Sequence, residues 1–569
     1  MQNKEPETTE TKKTAEHISY STEMLPLTSL NKSEKPASSS REVFDIYRFD
    51  IQRGKIVKED TRHYLTPKRF PFLDTRKQHL SPLDLRIIPQ SDPNVTALLR
   101  SGLSMGCFQT ESPGMRGLLK KMQIDDVDDV ITAVALIRPG AANSGMKDLY
   151  IQRRAGLVEV EYPHPALESV LKDTYGNIIY QEQVMQVAAE IAGFSLAQAD
   201  VLRKAMTKSR DKKLLLSMHQ EFVEGARRKG LSWKQAEYIW QFLANFVGYG
   251  FNKAHSATYG VIAYQTAYLK YYFPVQYMTA VLNNHGGFYS KAAYVEEARR
   301  MGIQFLPPDV NSSKREFTCH GDTIRVGLDM VFELTEKTKN RILMEREKGP
   351  FKDYFDFIQR VQPREGEVEN LIKCGALRSL DPNEPRLLLQ NKLYFKHRRK
   401  RNLTTSLLQN VQLVPYNKYQ RILNEMEILD FTVTDHPLAL FEDKIEWNRI
   451  TSSFELESRK GETIQFVGWL VTSRRVKTKN EEYMKFLTLE DRYGLCEAVM
   501  FPAVYNKYGH LVTSYGPYLI TGTVQSRLPG EANLLVEKLE AIELDKPELE
   551  KKFQIRDMNL EVKETDKLT

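Results

Sequence analysis

Basic side chains gathered in short segments are the residues of this sequence with the clearest chemical capacity. They form three clusters: Arg203-Lys204 through Lys212-Lys213, Lys396–Arg401 and Arg474–Lys479. Guanidinium and ammonium groups at this density can neutralise phosphates, so the clusters indicate nucleic-acid contact. Such runs are equally typical of solvated protein faces. The net charge of +7, from 81 Lys and Arg against 74 Asp and Glu, does not decide between the two interpretations.

Composition excludes several other classes of protein. No run of about 18 uncharged apolar residues is present to span a bilayer, and the first residues lack the apolar core of a secretory signal. The sequence has four cysteines, which are Cys107, Cys319, Cys374 and Cys496. They are far apart, so none forms a CxxC metal-binding pair. We therefore expect a cytoplasmic protein with no membrane partner.

The hydrophobic pattern predicts a multidomain α+β chain that changes from helix to strand along its length. Helices are predicted near Val95–Ser101 and Met115–Met122, and capping-box patterns at Ser195 and Ser232 predict two more helix starts. From about residue 461 short β-rich runs separated by turns indicate a small all-β barrel. The polar, aromatic-poor residues 1–41 are expected to be a disordered leader, and residues 544–569 a charged tail.

Five motifs in the helical part occur in a family-specific order. They are Cys107–Met115, Arg138-Pro-Gly140, Tyr180–Met185, Leu202–Met206 and Tyr249–Ser256. In order and spacing they resemble the fingers of the bacterial DNA polymerase III alpha subunit, a C-family DNA polymerase. The sequence after Leu282 is similar to the error-prone branch, whereas Phe251–His255 and Ala263–Lys270 are similar to the replicative branch, so both branches stay open.

The resemblance implies roles for individual residues. Holding a triphosphate in line requires cations aimed at its phosphates. The residues implied in triphosphate or primer-template contact are Arg138, Arg203, Lys204, Asn252, Lys253 and His255. Gln109, Glu111 and Ser112 belong to the opening motif and are expected to fix the loop beside the base pair, while Arg116 and Lys120 are expected to contact DNA. Tyr180–Met185 is interpreted as scaffold near the nucleotide pocket.

The catalytic part of the family is not found. Its palm carries three aspartates that hold two Mg²⁺ ions, and the segment Arg69–Leu73 matches the element of the third aspartate with Pro71 in its place. Asp45 and Asp50 would point to opposite faces of a strand. Asp126 and Asp128 fall where the family starts a helix, and the helix dipole accounts for acids there. We expect no catalytic residue and no metal site in this chain, and no counterpart of the family's amino-terminal PHP domain.

The carboxy-terminal part resembles two further modules of the same subunit. Residues 311–380 are similar to its helix-hairpin-helix module, but Met330–Leu334 lacks the glycines of the first hairpin, which leaves duplex binding open. Residues 461–543 resemble its oligonucleotide-binding (OB-fold) barrel. The expected single-strand contacts are Arg474, Arg475, Lys477, Lys479 and Tyr483, while Trp469, Phe486 and Phe501 are predicted to be barrel core.

These expectations divide the chain into modules and give two functions. Between the leader and the tail we predict a remnant palm or linker at 42–105, fingers at 106–310, the degenerate hairpin module at 311–380, a basic helical linker at 381–460 and the barrel at 461–543. The first function is a DNA polymerase III alpha-type subunit of replication or repair synthesis. It would bind dNTP, primer-template and single-stranded DNA, with Mg²⁺ only when a separate palm-containing polypeptide supplies the aspartates, and a sliding clamp is a further expected partner. The alternative is a DNA-binding paralogue without chemistry, or a truncated gene product.

Overall fold

The computed structural model describes residues 46–50, 55–59, 85–137, 145–208, 212–244, 251–397, 413–526 and 532–544. Contacts divide the chain into Met1–Phe44 and Asp45–Thr569, and every described residue lies in the second unit. The predicted leader, the Arg138 turn, Pro71 and most of the basic cluster at 396–401 lie outside the described residues. None of the described helices is long and apolar enough to cross a membrane.

The first part of the described chain is mainly helical. After the hairpin β1 (Ile46–Asp50) and β2 (Lys55–Glu59) come α1 (Pro93–Arg100), α2 (Pro113–Met122), α3 (Val127–Leu136), α4 (Met146–Arg154), the short α5 (Glu168–Leu171), α6 (Gln181–Ala192), α7 (Leu196–Lys208), α8 (Lys212–Arg228), α9 (Trp233–Ala244), α10 (Lys253–Tyr272), α11 (Pro274–Asn284) and α12 (Lys291–Arg300). Both predicted capping boxes are present, since the Ser195 and Ser232 hydroxyls accept the amides of Gln198 and Gln235 at 3.3 Å. Both helix starts are thereby confirmed.

A second run of elements links the helices to the barrel. It comprises a small sheet of β3 (Gln304–Leu306), β4 (Thr318–His320) and β5 (Thr323–Arg325), followed by α13 (Glu336–Glu347), α14 (Tyr354–Val361), α15 (Glu365–Lys373), α16 (Glu384–His397) and α17 (Lys418–Leu429). The hydrophobic core of α1–α3 and α10–α12 continues into these helices as far as Val433. Helices α6–α9 enclose a separate core.

The predicted barrel is confirmed as a closed five-stranded sheet. Its strands are β6 (Thr463–Lys477), β7 (Tyr483–Glu490), β8 (Leu495–Met500), β9 (Tyr518–Gln525) and β10 (Asn533–Ala541), in the spatial order β10-β8-β7-β6-β9, and α18 (Pro502–Tyr508) follows β8. Strands β8 and β10 pair in parallel and the other neighbours are antiparallel. The fold class predicted from the sequence, helical modules followed by an all-β barrel, is correct.

Two ion pairs fix the barrel against the helices. The Arg116 guanidinium on α2 lies 3.2 Å from the Glu497 carboxylate on β8. The Arg300 guanidinium at the end of α12 lies 3.0 Å from the Glu490 carboxylate on β7, and Glu490 is buried. Because both pairs are largely shielded from water, they hold the barrel in one position relative to α2 and α12.

Candidate nucleotide and nucleic-acid interface

The amino terminus of α10 is the centre of the candidate nucleotide site. Asn252 caps this 20-residue helix, and its side-chain oxygen accepts the amide of His255 at 2.8 Å. Lys253 and His255 are exposed in the first turn. The positive end of the helix dipole adds to the charge of Lys253, so this turn favours an anion.

Close packing fixes the direction of α10. Gly260 lies against Ile131 of α3, where an added Cβ would come within 2.5 Å of the Ile131 side chain. Ser256 donates a hydrogen bond from its hydroxyl to the Ile131 carbonyl. A larger residue at position 260 would push α10 away from α3 and move its first turn.

The start of α6 joins α10 to the second group of predicted cations. The Glu182 carboxylate accepts the Asn252 side-chain amide at 3.1 Å and the Lys253 backbone amide at 3.0 Å. Its neighbour Gln181 accepts a hydrogen bond from the Arg203 guanidinium at 2.9 Å. Two consecutive residues of the Tyr180–Met185 motif thus bond to the Arg203 side chain and to the Lys253 backbone, which is consistent with a scaffold role.

Asp200 pairs with both cations of α7. Its carboxylate lies 2.7 Å from Arg203 and 2.7 Å from Lys204. Hydrogen bonds from Lys204 and then from Arg203 lower the pKa of Asp200. The carboxylate therefore acts as an internal counter-ion that a phosphate would have to displace.

Aromatic rings lie along the same side of α10. The Lys253 ammonium is 5.4 Å from the centre of the Tyr180 ring, and the His255 ring is 4.3 Å from that of Tyr259. Phe108 continues the row at 5.3 Å from Tyr259 and is partly exposed. Such rings offer a stacking surface for a base next to the cations. The i, i+4 spacing of His255 and Tyr259 places both rings on one face of a helix and could have indicated this row, which was not predicted from the sequence.

Glu111 ties the opening motif to the helices behind it. This buried carboxylate accepts the amides of Gly106 at 2.8 Å and Phe288 at 2.6 Å, and the hydroxyl of Tyr294 at 2.8 Å. Nearby, Ser112 caps α2, and the exposed Gln109 has a left-handed φ of 58°. These positions are consistent with a loop-fixing role for the motif, which stays a prediction.

We expect Glu111→Leu to lower the free energy of unfolding by about 2–3 kcal/mol, because one buried and two partly buried donors would lose their acceptor. Urea denaturation followed by circular dichroism measures the change. Glu347→Leu, at an exposed position near the end of α13, is the matched control and should change stability by less than about 0.5 kcal/mol. Equal effects of the two substitutions would show that the Glu111 hydrogen bonds do not stabilise the loop.

The predicted DNA contact of Arg116 does not agree with its position. Arg116 is 7% exposed and is paired with Glu497, so its guanidinium lies in the contact between α2 and the barrel. Lys120, one turn later, is only partly accessible, and burial together with the charge of Arg116 lowers its pKa. The sequence did not predict that the barrel packs on this face of α2.

The barrel carries a second basic and aromatic surface, along β6 and β7. Arg474 lies directly opposite Phe486 on one face of the two strands, and Lys477 lies opposite Tyr483 on the other face. The Arg475 guanidinium is 4.5 Å from the centre of the Tyr483 ring. All five side chains are exposed, as is Lys479 in the connecting turn. We call Arg474, Arg475, Lys477, Tyr483 and Phe486 the barrel strip.

Two of the three predicted barrel-core aromatics are in fact exposed. Phe486 is 41% and Phe501 49% exposed, whereas Trp469 is half-buried. Side chains alternate along β7, and the core positions are taken by Leu487 and Leu489, which turns Phe486 outward. Phe501 directly follows β8 and occupies the N-cap position of α18. The two-residue period of the leucines was the signal that could have prevented the error for Phe486.

The first hairpin of the helix-hairpin-helix module does not offer its amide to a phosphate. Phe332 donates its backbone N–H to the Ile428 carbonyl at 3.0 Å, and its side chain is 58% exposed. Glu333, with φ of 54°, occupies the left-handed position where glycine is favoured. Because this hairpin lacks the family's glycine turn, it presents the Phe332 side chain to solvent, while the Phe332 amide is bound within the protein.

Carboxylates do not gather into a metal site in the described part of the chain, where no cluster of three or more His, Cys, Asp or Glu residues is found. Asp126 caps α3, and Asp128 and Asp129 lie in its first turn. The interpretation of these acids as a helix start is confirmed.

Sequence comparisons agree with this architecture. The family model for the bacterial DNA polymerase III alpha subunit finger domain matches residues 72–230, a helix-hairpin-helix motif matches 302–387, and an OB-fold nucleic acid binding domain matches 464–542. Among curated proteins, the DNA polymerase III subunit alpha of Aquifex aeolicus is 35% identical over 80% of this chain and 39% of that protein. The subunits of Borreliella burgdorferi and Bacillus subtilis are 36% and 33% identical, each over 74% of this chain and 39% of the relative.

These matches define the class of protein. The chain contains finger, helix-hairpin-helix and OB-fold modules of the kind found in bacterial DNA polymerase III alpha subunits. It is related to the bacterial DNA polymerase III alpha subunits, as its motifs predicted. The chain spans about two fifths of the length of the curated relatives it matches.

Proposed function

We propose that this chain is the nucleotide- and DNA-binding part of a DNA polymerase III alpha-type subunit that acts in replication or repair synthesis. The observation that supports the proposal is that Arg203 and the backbone of Lys253 bond to two consecutive residues, Gln181 and Glu182, at the start of α6. Because the chain is related to alpha subunits, we infer that the ligand of this site is a deoxynucleoside triphosphate.

The geometry supports triphosphate binding in a defined way. A triphosphate at the first turn of α10 would meet the Lys253 ammonium, would have to displace Glu182 from the Lys253 amide, and would compete with Asp200 for Arg203 and Lys204. Its base would lie toward Tyr259 and Phe108. Arg138 and His255 stay in the proposed ligand set.

The barrel strip supports binding of the single-stranded template. Exposed Phe486 and Tyr483 offer a stacking surface on each face of the β6–β7 ribbon. Arg474 beside Phe486, and Arg475 and Lys477 beside Tyr483, would neutralise the backbone of a bound strand. Phosphate neutralisation of this kind makes affinity depend steeply on salt. The hairpin module contributes little to duplex binding in this proposal, because the Phe332 amide is already used.

The chemical step requires acids beyond those assigned here. Aspartates of a palm domain would hold Mg²⁺ at the reacting phosphate, and we propose that a separate palm-containing polypeptide supplies them. A sliding clamp is a further proposed partner. The rival function, a DNA-binding paralogue without chemistry, shares the barrel strip but does not need a palm.

Primer extension tests the proposal. The purified chain with Mg²⁺, dNTPs and a primed template should extend no primer alone, because the metal ligands of the reaction are not supplied. Adding a palm-containing polypeptide from the same genome should restore extension. Robust extension by the chain alone would contradict the missing-acid assignment, and failure of every palm-containing candidate to restore extension would favour the rival.

Salt dependence tests the phosphate contacts separately. We expect the affinity for a labelled single strand to fall at least tenfold between about 50 and 200 mM salt, because several counterions are released on binding. Fluorescence anisotropy measures it. An affinity that stays constant over this range would contradict the proposed contacts of the barrel strip.

A further inference from the structure

A cavity lies where the barrel, α12 and the segment after α17 meet, away from the barrel strip. Its wall is formed by Trp469 and Tyr515, whose rings are parallel within 6° with centres 6.4 Å apart. The backbone holds Tyr515 there, because its carbonyl accepts the Leu470 amide at 2.7 Å. The Tyr515 side chain is 62% exposed and Trp469 is half-buried, so the aromatic wall opens to solvent.

Carboxyl groups form the inner end of this cavity. Glu296 and Glu490 both line it and both are buried. Glu490 accepts from Arg300 at 3.0 Å. Glu296 accepts from the Thr432 hydroxyl at 3.2 Å and pairs with Arg299. Because a carboxyl group has more than one acceptor site, Glu490 keeps acceptor capacity toward the cavity.

The sheet register sets the aromatic ring and the carboxyl side by side. Trp469 and Glu490 are directly opposite across β6 and β7, so both project from the same face of the barrel. A planar ligand stacked on Trp469 would therefore turn its edge toward Glu490. Ring stacking combined with a hydrogen bond to the edge is how proteins hold a nucleobase that has left its stack.

The polar residues that line the rest of the cavity determine which planar ligands it can bind. Besides the two glutamates, the polar lining residues are Ser290, Asp430 and Thr432, and no lysine or arginine is among the described lining residues. Arg299 and Arg300 already pair with the two glutamates, and the lining offers no further cation to a phosphate, so the cavity favours an uncharged base. Amino groups of adenine, cytosine or guanine can donate to a carboxyl oxygen, whereas the single edge donor of thymine, its N3–H, is flanked by two oxygen atoms.

We propose that this cavity binds an unpaired nucleobase carrying an exocyclic amino group, stacked on Trp469 beside Tyr515 with its amino edge at Glu490. The site is separate from the barrel strip and from the α10 terminus. A strand passing from the barrel strip toward α12 could place one base there, but recognition of the base itself needs no phosphate contact.

A free nucleoside tests the site without relying on the proposed DNA binding. The probe is 2-aminopurine deoxyriboside, which is fluorescent, carries an amino group, has no phosphate and is quenched on stacking. We expect saturable quenching by the full-length chain, reversed by excess deoxyadenosine or deoxycytidine and much less by thymidine. Tyr515→Ala and Trp469→Ala should each weaken binding at least fivefold, within the range of a lost stacking contact.

The matched control is Trp233→Ala, an exposed aromatic on α9 that should leave quenching unchanged. Because Tyr515 is exposed, its variant should fold even if the Trp469 variant does not. Absence of saturable quenching, quenching unaffected by Tyr515→Ala, or equal displacement by thymidine would each overturn the proposal. Loss of single-strand binding with nucleoside quenching intact would instead contradict the proposed role of the barrel strip.

Discussion

Lys270→Met should lower the free energy of unfolding by about 3–5 kcal/mol, the largest stability effect we expect. Lys270 is fully buried, and its ammonium donates to the carbonyls of Leu103 and Met105 at 2.8 and 2.7 Å and to Glu297 at 2.7 Å. Although burial acts in the opposite direction, the charges of Lys270 and Arg300 lower the pKa of Glu297 to about 2. Removing Lys270 leaves a buried carboxylate with only Arg300 as its counter-ion.

The effect should reach beyond α10. Arg300 also pairs with Glu490 on the barrel, so the network couples the fingers to the OB-fold. Urea unfolding followed by circular dichroism measures the loss. Lys348→Met is the control, because Lys348 is 64% exposed and its pair with Glu345 should contribute less than about 1 kcal/mol. A Lys270 variant as stable as this control would contradict the buried network.

Phe486→Ala should weaken single-strand binding by about 1–3 kcal/mol, or roughly 5- to 150-fold, because a base would lose its stacking surface. Phe486 lies opposite Arg474 and is exposed, so the ring can be reached by a strand whose backbone Arg474 holds. The fold should be unaffected, since the side chain is outside the barrel core. Anisotropy of a labelled oligothymidine at low salt gives the affinity.

A control substitution of an exposed aromatic residue away from the barrel tests whether the effect is specific to Phe486. Tyr238 on α9 is similarly exposed, and Tyr238→Ala should leave the affinity unchanged. If Phe486→Ala binds as tightly as the unmodified chain, the strand does not stack on β7, and the barrel strip is a solvated face rather than a DNA-binding surface.

Local patterns in the sequence predicted the elements well, because capping and periodicity depend on neighbouring residues. The helix starts at Ser195 and Ser232 and the strands of the barrel follow from hydrogen bonds and alternation within a few positions. The Asp126 helix start was predictable for the same reason.

Contacts between distant segments were not predictable in this way. The pairing of Arg116 with Glu497 joins residues 381 positions apart, and no local pattern marks either one as a partner. The bridge from Arg203 through Gln181 to the α10 terminus likewise depends on how the helices pack. Family motifs predicted which cations contact the nucleotide, but only the packing shows that Asp200 pairs with Arg203 and that Glu182 accepts the Lys253 backbone amide.

The most direct test of the proposed function is the binding of a fluorescent dATP analogue, measured by anisotropy at low salt. Lys253→Glu should weaken binding at least tenfold, because it replaces the cation at the start of α10 with a negative charge. Lys337→Glu, at an exposed position on α13, should have little effect. Equal affinities for the two variants would contradict the assignment of the α10 terminus as the triphosphate site.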